Sequence, residues 1–463
     1  MRKTALILAA GQGTRMKSET PKVLHKVCGR SMLKHVLDAA EGSGAEQNVV
    51  VVGHGADEVI EKTGAPGLTF VHQKQQLGTG HAVLMAEHVL PEEGLVLVLC
   101  GDTPLITKET LKEFITYHEE AENSVSVLTA IFEEPYGYGR IVKDPEGRLL
   151  KIVEEKDADP EEKKIKEINS GMYCFDAASL KANLKKITND NAQGEYYLTD
   201  LIEIAVKQEE KTGAYPVKNR EEIMGVNTRV QLAAAEGIMR KRINEKHMLA
   251  GVGMVDPEAV YIETDVEIGK DTLIYPGAIL SGKTIIGEGC VIGQNCRIEN
   301  SVIGEGTEVQ SSTIIDSKVG KDTSIGPYAY LRPKSSIGND VKIGDFVEVK
   351  NASIGDGSKA SHLSYIGDAD VGKDVNIGCG VVFVNYDGVN KFRSTVEDEA
   401  FIGSNSNLVA PVHVEKRGYV AAGTTITRKV AEGTLVVGRP KERVIQGWGE
   451  RKMKEKKEKK NVK

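Results

Sequence analysis

The chain has 463 residues, enough for two or three domains at the usual length of about 150 residues each. Its hydrophobic content of 40% supports real cores, while 49 glycines beside 5% aromatics and one Trp suit a repeat fold with tight corners. A net charge of −7 argues against a general polyanion or nucleic-acid binder, so any phosphate must be met by local basic groups. Six cysteines without a C-x-x-C pair indicate neither a disulfide framework nor a metal site. No apolar stretch is long enough to span a bilayer, and a cytoplasmic protein is expected. The apolar start is too short for a secretory signal and runs into a Gly-rich turn, so it reads as a first strand.

Residues 1–227 read as an α/β domain. Thr4–Ala10, Asn48–Val52 and Leu95–Cys100 are short aliphatic runs with turn signals behind them. Helical patterns, such as Met32–Ala40 and His81–Val89, lie between them and imply a mainly parallel sheet. Ligands of such sheets bind outside the carboxyl ends of the strands. Two strand ends carry chemistry. After the first comes Leu8-Ala9-Ala10-Gly11-Gln12-Gly13-Thr14-Arg15-Met16, then Pro21-Lys22, a Gly-rich turn whose N–H groups can cradle phosphate oxygens. It is not a dinucleotide fingerprint, because Met16 stands where the third Gly belongs. After Leu95–Cys100 comes Gly101-Asp102-Thr103-Pro104, where a carboxylate beyond a buried strand suits a hard cation such as Mg²⁺. A plain turn carboxylate is the alternative. Gln73 and Gln76-Leu77-Gly78-Thr79-Gly80-His81 form a polar loop able to read a base edge.

From Val230 to Leu249 apolar residues recur at helical spacing, which predicts one long linker helix over 228–250, ended by Gly251 and Gly253. Beyond it the period changes to six. Ile268, Ile274, Leu280, Ile286, Ile292 and Ile298 form one run; Val319 to Val349 and Val396 to Ile426 repeat it. Gly often follows the aliphatic residue, as at Gly269, Gly287 and Gly344. Small residues such as Thr272, Ala278, Thr284, Cys290 and Cys296 precede it by two. This is the hexapeptide signature of a parallel β-helix, expected over 251–449, with a solvated charged tail at 450–463. If three steps close a coil, residues eighteen apart stack.

Arg332 and Lys350 each follow a ladder position and would then stack one strand spacing apart. Like charges so placed repel unless an anion lies between them. His362, in Ser361-His362-Leu363-Ser364-Tyr365, falls where the period slips and suits a base that takes a proton from an amine. Glu348 is a candidate partner for that imidazole. A longer break between Phe383 and Val396 carries Asn385-Tyr386-Asp387-Gly388-Val389-Asn390-Lys391-Phe392, a loop that bulges from the coil.

The motif G-x-G-T-R-M with P-K resembles the sugar-nucleotide pyrophosphorylases. With the hexapeptide half, residues 1–449 resemble the bacterial bifunctional N-acetylglucosamine-1-phosphate uridylyltransferases/glucosamine-1-phosphate N-acetyltransferases. That resemblance implies a Rossmann-like nucleotidyltransferase domain, a linker helix and a left-handed β-helix assembled as a homotrimer. It implies that Leu8, Ala9, Ala10, Gly11, Lys22, Gln73, Gly78 and Thr79 bind UTP, and that Gly139, Glu154 and Asn169 bind the amino sugar. Asp102 and Asn227 would bind Mg²⁺, with Asn227 also facing the nucleotide, and Arg15 would assist the displacement. In the second half it makes His362 the base and gives glucosamine-1-phosphate to Arg332, Lys350, Tyr365 and Asn376. Acetyl-CoA goes to Cys379, Asn385, Tyr386, Ser404, Ala422 and Arg439. The product, UDP-N-acetylglucosamine, feeds cell-wall and lipopolysaccharide precursors in bacteria. The alternative reading is a single-function pyrophosphorylase whose β-helix is only structural.

Overall fold

The first aliphatic run becomes β1 (Lys3–Ala9), the strand on which the N-terminal sheet turns. In this computed structural model residues 2–461 are described. They form two compact units, one running to Glu245 with Ile262–Thr264, the other comprising Lys246–Tyr261 and residues from Asp265 on. The remaining strands of the first unit's large sheet are β2 (Gln47–Val52), β3 (Leu68–His72), β4 (Leu95–Cys100), β5 (Val125–Ile131), β6 (Arg140–Lys143), β7 (Leu149–Val153), β8 (Glu167–Asp176) and β9 (Thr212–Pro216). Their order is β9-β5-β8-β4-β1-β2-β3, with the β6–β7 hairpin attached to β8. β1 runs parallel to both β2 and β4, whereas β8 is antiparallel to β4 and β5. The chain therefore leaves β1 in one direction and fills its other side later, which opens a crevice at the carboxyl ends of β1 and β4. Fully buried Ile7, Leu99 and Leu33 close one face of the sheet, and Leu6, Val98 and Val83 close the other.

The helical periods behave as their spacing requires. Helix Met32–Gly42 starts at Ser31, whose side chain accepts from the N–H of Lys34. The pattern over His81–Val89 resolves into helix Thr79–Ala86 followed by a 3₁₀ turn. The long helix spans Arg229–Leu249, and its first half packs Leu232, Ala235, Ile238 and Met239 against Val27, Met32, Leu105 and Val226. Gly251 follows it with φ 97°, a conformation that ends helices.

In the second unit the six-residue ladder winds into a left-handed parallel β-helix, with three parallel sheets of eleven, ten and nine short strands among the described residues. Every residue of the three aliphatic runs is buried except Ile268, which is half-buried in an early coil. The small residues before them, Thr272 to Cys296, are fully buried as well. The even spacing of eighteen needs correction. On one face Ile274 pairs with Ile292 and Ile325 with Ile343, eighteen apart, but Ile292–Val309 is a coil of seventeen and Val309–Ile325 one of sixteen. Two coils of seventeen, Ile343–Ala360 and Ala360–Ile377, bracket His362. The next pairs Ile377 with Ile402, and its extra residues form the loop after Val384. The charged tail expected at 450–463 falls on an α-helix, Trp448–Asn461, whose side chains are exposed through Lys460; the tail's last two residues lie outside the described residues.

Candidate active sites

At the crevice beside β1 and β4 lies a cavity of about 290 Å³ lined by residues of both strand ends. Leu8, Ala9, Ala10, Gly11, Lys22, Gln73, Gly78, Thr79 and Asp102 all line it, together with Gln76, Cys100 and Glu195. A side chain built on Gly11 would meet nothing within 4 Å, so the turn leaves its backbone open to a ligand. Gly13 differs: with φ 64°, a Cβ there would lie 2.7 Å from the Lys22 Cβ, so only glycine lets that lysine pack across the turn. Gly78 (φ 108°) is pressed against the Tyr196 backbone in the same manner. Gln73 is buried and donates to the Gly78 carbonyl at 3.1 Å, which fixes the polar loop above the cavity.

Cationic and oxygen groups converge at the mouth. Lys22 Nζ lies 2.5 Å from Asp102 Oδ2 and 3.0 Å from Asn227 Oδ1, and Arg15 Nη2 donates to the same Asn227 oxygen at 3.0 Å. Two oxygens from distant segments thus already face one positive centre, a donor set that fits a hard cation. Among the described residues no group of three or more His, Cys, Asp or Glu could hold a metal. An ion at Asp102 and Asn227 would therefore take its other ligands from water or phosphate.

Gly139, Glu154 and Asn169 come from three segments and meet beside that cavity without lining it. Asn169 donates its N–H to the Gly139 carbonyl at 2.9 Å. A Cβ on Gly139 would sit 3.4 Å from both the Asn169 Cβ and Glu154 Oε1. Burial pushes the Glu154 carboxyl upward from its ordinary range, and Asp157, Asp200 and Glu195 add to the shift. Arg140, only 2% exposed, anchors this hairpin through Glu155 at 2.7 Å.

The β-helix gathers a second set. Tyr330 pairs with Glu348 and Leu331 with Val349, so Arg332 stacks on Lys350 as the spacing predicts. Arg332 is not left facing a like charge, because Glu348 accepts from its Nη1 at 2.8 Å. Glu348 is consequently not the partner of His362; Asp345 is, with His362 Nδ1 and Asp345 Oδ1 2.7 Å apart. Left-handed residues mark one corner of successive coils at Phe346, Leu363, Gly380, Asn405 and Gly423. The residues just before them are Asp345, His362, Cys379, Ser404 and Ala422. Three expected acetyl-CoA contacts thus continue the column that begins with the Asp345–His362 pair. The Arg439 side chain lies 3.6 Å from where a Cβ of Gly423 would be, beside Ala422.

Tyr365 follows Glu348 in the face that carries Arg332 and Lys350, whereas Asn376 stacks on Lys359 in the face that carries His362. Asn385 is buried and donates to Asp368 at 2.5 Å, and Asp368 also accepts from Asn351. Tyr386 is exposed on the loop, and Arg393 clamps the loop's foot to Asp370 and to the Asn351 and Ala369 carbonyls. Asp345 and Asp368 escaped the sequence reading. Their only signal was a position seventeen residues before His362 and Asn385, which a rule of eighteen misaligns.

Comparisons with known proteins agree with this division. The MobA-like NTP transferase domain matches residues 5–165, the GMPPB C-terminal domain matches 257–330, and the bacterial transferase hexapeptide (six repeats) matches 316–351. Bifunctional protein GlmU of Clostridioides difficile (strain 630) is 58% identical over 97% of both chains. Its counterpart from Alkaliphilus oremlandii (strain OhILAs) is 61% identical over 98% of this chain and 99% of the relative. That of Caldanaerobacter subterraneus subsp. tengcongensis is 55% identical over 97% and 98%.

Proposed function

Because the chain belongs to the GlmU family of bifunctional proteins, we propose that it makes UDP-N-acetylglucosamine in two steps. Residues 251–449 acetylate glucosamine-1-phosphate with acetyl-CoA. Residues 1–227 then transfer UMP from UTP to the N-acetylated product and release pyrophosphate.

In the acetyl step Arg332 and Lys350 receive the sugar phosphate, with Tyr365 and Asn376 against the sugar. His362 takes a proton from the 2-amino group as its nitrogen forms the amide bond to the acetyl carbon. The thioester C–S bond breaks, and coenzyme A leaves past Cys379, Asn385, Tyr386, Ser404, Ala422 and Arg439. In the uridylyl step the sugar phosphate oxygen attacks the α-phosphorus of UTP in line with the departing pyrophosphate. Leu8, Ala9, Ala10, Gly11, Gln73, Gly78 and Thr79 hold the nucleotide, while Gly139, Glu154 and Asn169 orient the amino sugar. Lys22 and Arg15 neutralise charge that builds on the phosphoryl oxygens. Asp102 and Asn227 would hold Mg²⁺, which when bound screens the phosphate charges. A homotrimer is part of the proposal; stacked, exposed Tyr328 and Phe346 at the corner beside Asp345 supply apolar surface for a neighbouring copy.

The observation that most supports this reading is that Arg332, Lys350 and Tyr365 share one face one corner away from His362, a gathering that the Arg332–Glu348 ion pair alone does not require. The test is an omission series with the pure protein, glucosamine-1-phosphate, acetyl-CoA, UTP and Mg²⁺. Free thiol should depend on the first two alone. Pyrophosphate should require all four. Pyrophosphate release from UTP and N-acetylglucosamine-1-phosphate, with no thiol release under any condition, would leave only the pyrophosphorylase.

A further inference from the structure

The β-helix holds a pairing that neither the hexapeptide pattern nor the assignment of His362 as base requires. Asp345 and His362 end successive strands on one face, Lys342–Asp345 and Lys359–His362, and are directly in register. The coil between them is one residue shorter than eighteen. That contraction aligns the two side chains; an eighteen-residue coil would set Asp345 opposite Leu363. Asp345 Oδ1 lies 2.7 Å from His362 Nδ1, and the Asp345 carbonyl accepts from the Leu363 N–H at 2.8 Å. Ser364 donates its hydroxyl to the His362 carbonyl at 2.9 Å. Backbone and ring are thus fixed from the two neighbouring residues and the preceding coil.

We propose that Asp345 is the positioning residue of the acetyl-transfer site: by accepting from Nδ1–H it fixes the imidazole tautomer and aims Nε2 at the substrate amine. The proposal rests on the reading of His362 as the base. A neutral imidazole carries one proton on either nitrogen, and only the ring nitrogen without it can take another. A carboxylate oxygen cannot donate, so beside it the neutral ring keeps its proton on Nδ1 and leaves the Nε2 lone pair free. Ring orientation follows from the same bond, and small errors of aim at a reacting centre cost large factors in rate.

Orientation and charge make different demands here. The side chains of His362 and Asp345 are 60% and 40% exposed in the single chain, so solvent weakens their Coulombic attraction. Orientation is therefore the larger contribution, and an amide oxygen at position 345 can still supply it. The hydrogen bond from His362 holds the Asp345 carboxyl below its ordinary range. The other charged or titratable groups nearby are Lys342 and Lys359 on the same two strands and the exposed Cys379 in the column after His362. Neither lysine offers an alternative acceptor for Nδ1–H, since both are cationic.

The experiment compares Asp345→Ala, Asp345→Asn and His362→Asn in the full chain, following thiol release across pH at saturating glucosamine-1-phosphate and acetyl-CoA. Pyrophosphate release from UTP and N-acetylglucosamine-1-phosphate, measured separately, reports that the rest of the chain is intact. Asp345→Ala should lower kcat for acetyl transfer at least about tenfold and leave both KM values within about threefold. Asp345→Asn should restore kcat to within about threefold of the parent. A space-filling role would change KM or stability rather than kcat alone. Parent-like kcat in Asp345→Ala, with His362→Asn inactive, would overturn the positioning role alone. Retained activity in His362→Asn would overturn the base assignment and the proposal together.

Discussion

Carboxylates crowd around Glu154, at the end of the first site proposed for the amino sugar, and the cost of keeping them ionised is measurable. Asp200 begins helix Asp200–Lys207, and burial, with Glu203 and Asp157 nearby, raises its carboxyl from an ordinary value near 3.8 to about 6. The folded chain then holds that proton more tightly than the unfolded chain does. Stability from this group is present below about pH 4 and is lost as pH rises through about 6. Asp200→Asn cannot ionise, so its melting temperature relative to the parent should climb between pH 4.5 and 7.5. Discounted for partial exposure, the gain is about 1 kcal/mol, or roughly 2–4 °C. An identical difference at both pH values would mean that the helix N-terminus cancels the burial penalty. Little of this cluster was legible beforehand. Glu154, Asp157, Glu195 and Asp200 come together through folding, with no local pattern to mark them. Asp102 and Lys22 were readable because each sits directly behind a strand or turn whose signal is local.

Coil stacking sets the next scale, and the glycine that follows many of the ladder residues permits it. A Cβ placed on Gly344 would lie 1.9 Å from the Ser361 carbonyl oxygen of the next coil. That oxygen is backbone, held by strand pairs on both sides, so it has no rotamer by which to move aside. Gly344→Ala should therefore cost about 3 kcal/mol in the β-helix unit, as overpacking against an unyielding neighbour does. Because position 344 adjoins Asp345, acetyl transfer should fall with it while uridylyl transfer persists. A calorimetric melt indistinguishable from the parent would refute this account of the glycine. The same constraint explains why the ladder was so readable: a Cβ on Gly269 or Gly287 would lie 2.6 Å from the backbone of the following coil. Coil length was less so, because a deleted corner residue leaves the inward aliphatic period nearly intact while shifting every outward partner by one. The sixteen- and seventeen-residue coils, and with them the Asp345 pairing, were hidden for that reason.

Over the whole molecule, an acidic chain must meet two sugar phosphates and a nucleotide with local cations. In the proposed function Arg15 and Lys22 supply them in one unit, and Arg332 and Lys350 in the other. Each belongs to a unit with its own buried core, the sandwiched sheet in one case and the inward ladder in the other. Nothing in the second core depends on the charge balance of the first. Asp102→Ala tests that separation. It removes the carboxylate that faces Lys22 and one of the two oxygens offered to a cation, so uridylyl transfer should fall at least about a hundredfold. Lys22 keeps a bond to Asn227, and the flanking strand β4 remains packed on both faces, so the unit should stay folded. Thiol release from acetyl-CoA should stay within about twofold of the parent. The two rates are read in one sample, as pyrophosphate and as free thiol, which makes the comparison independent of protein concentration. If both fell together, the chain would not be two catalysts joined in sequence, and the charge pair at Lys22 and Asp102 would have to govern the folding of the β-helix as well.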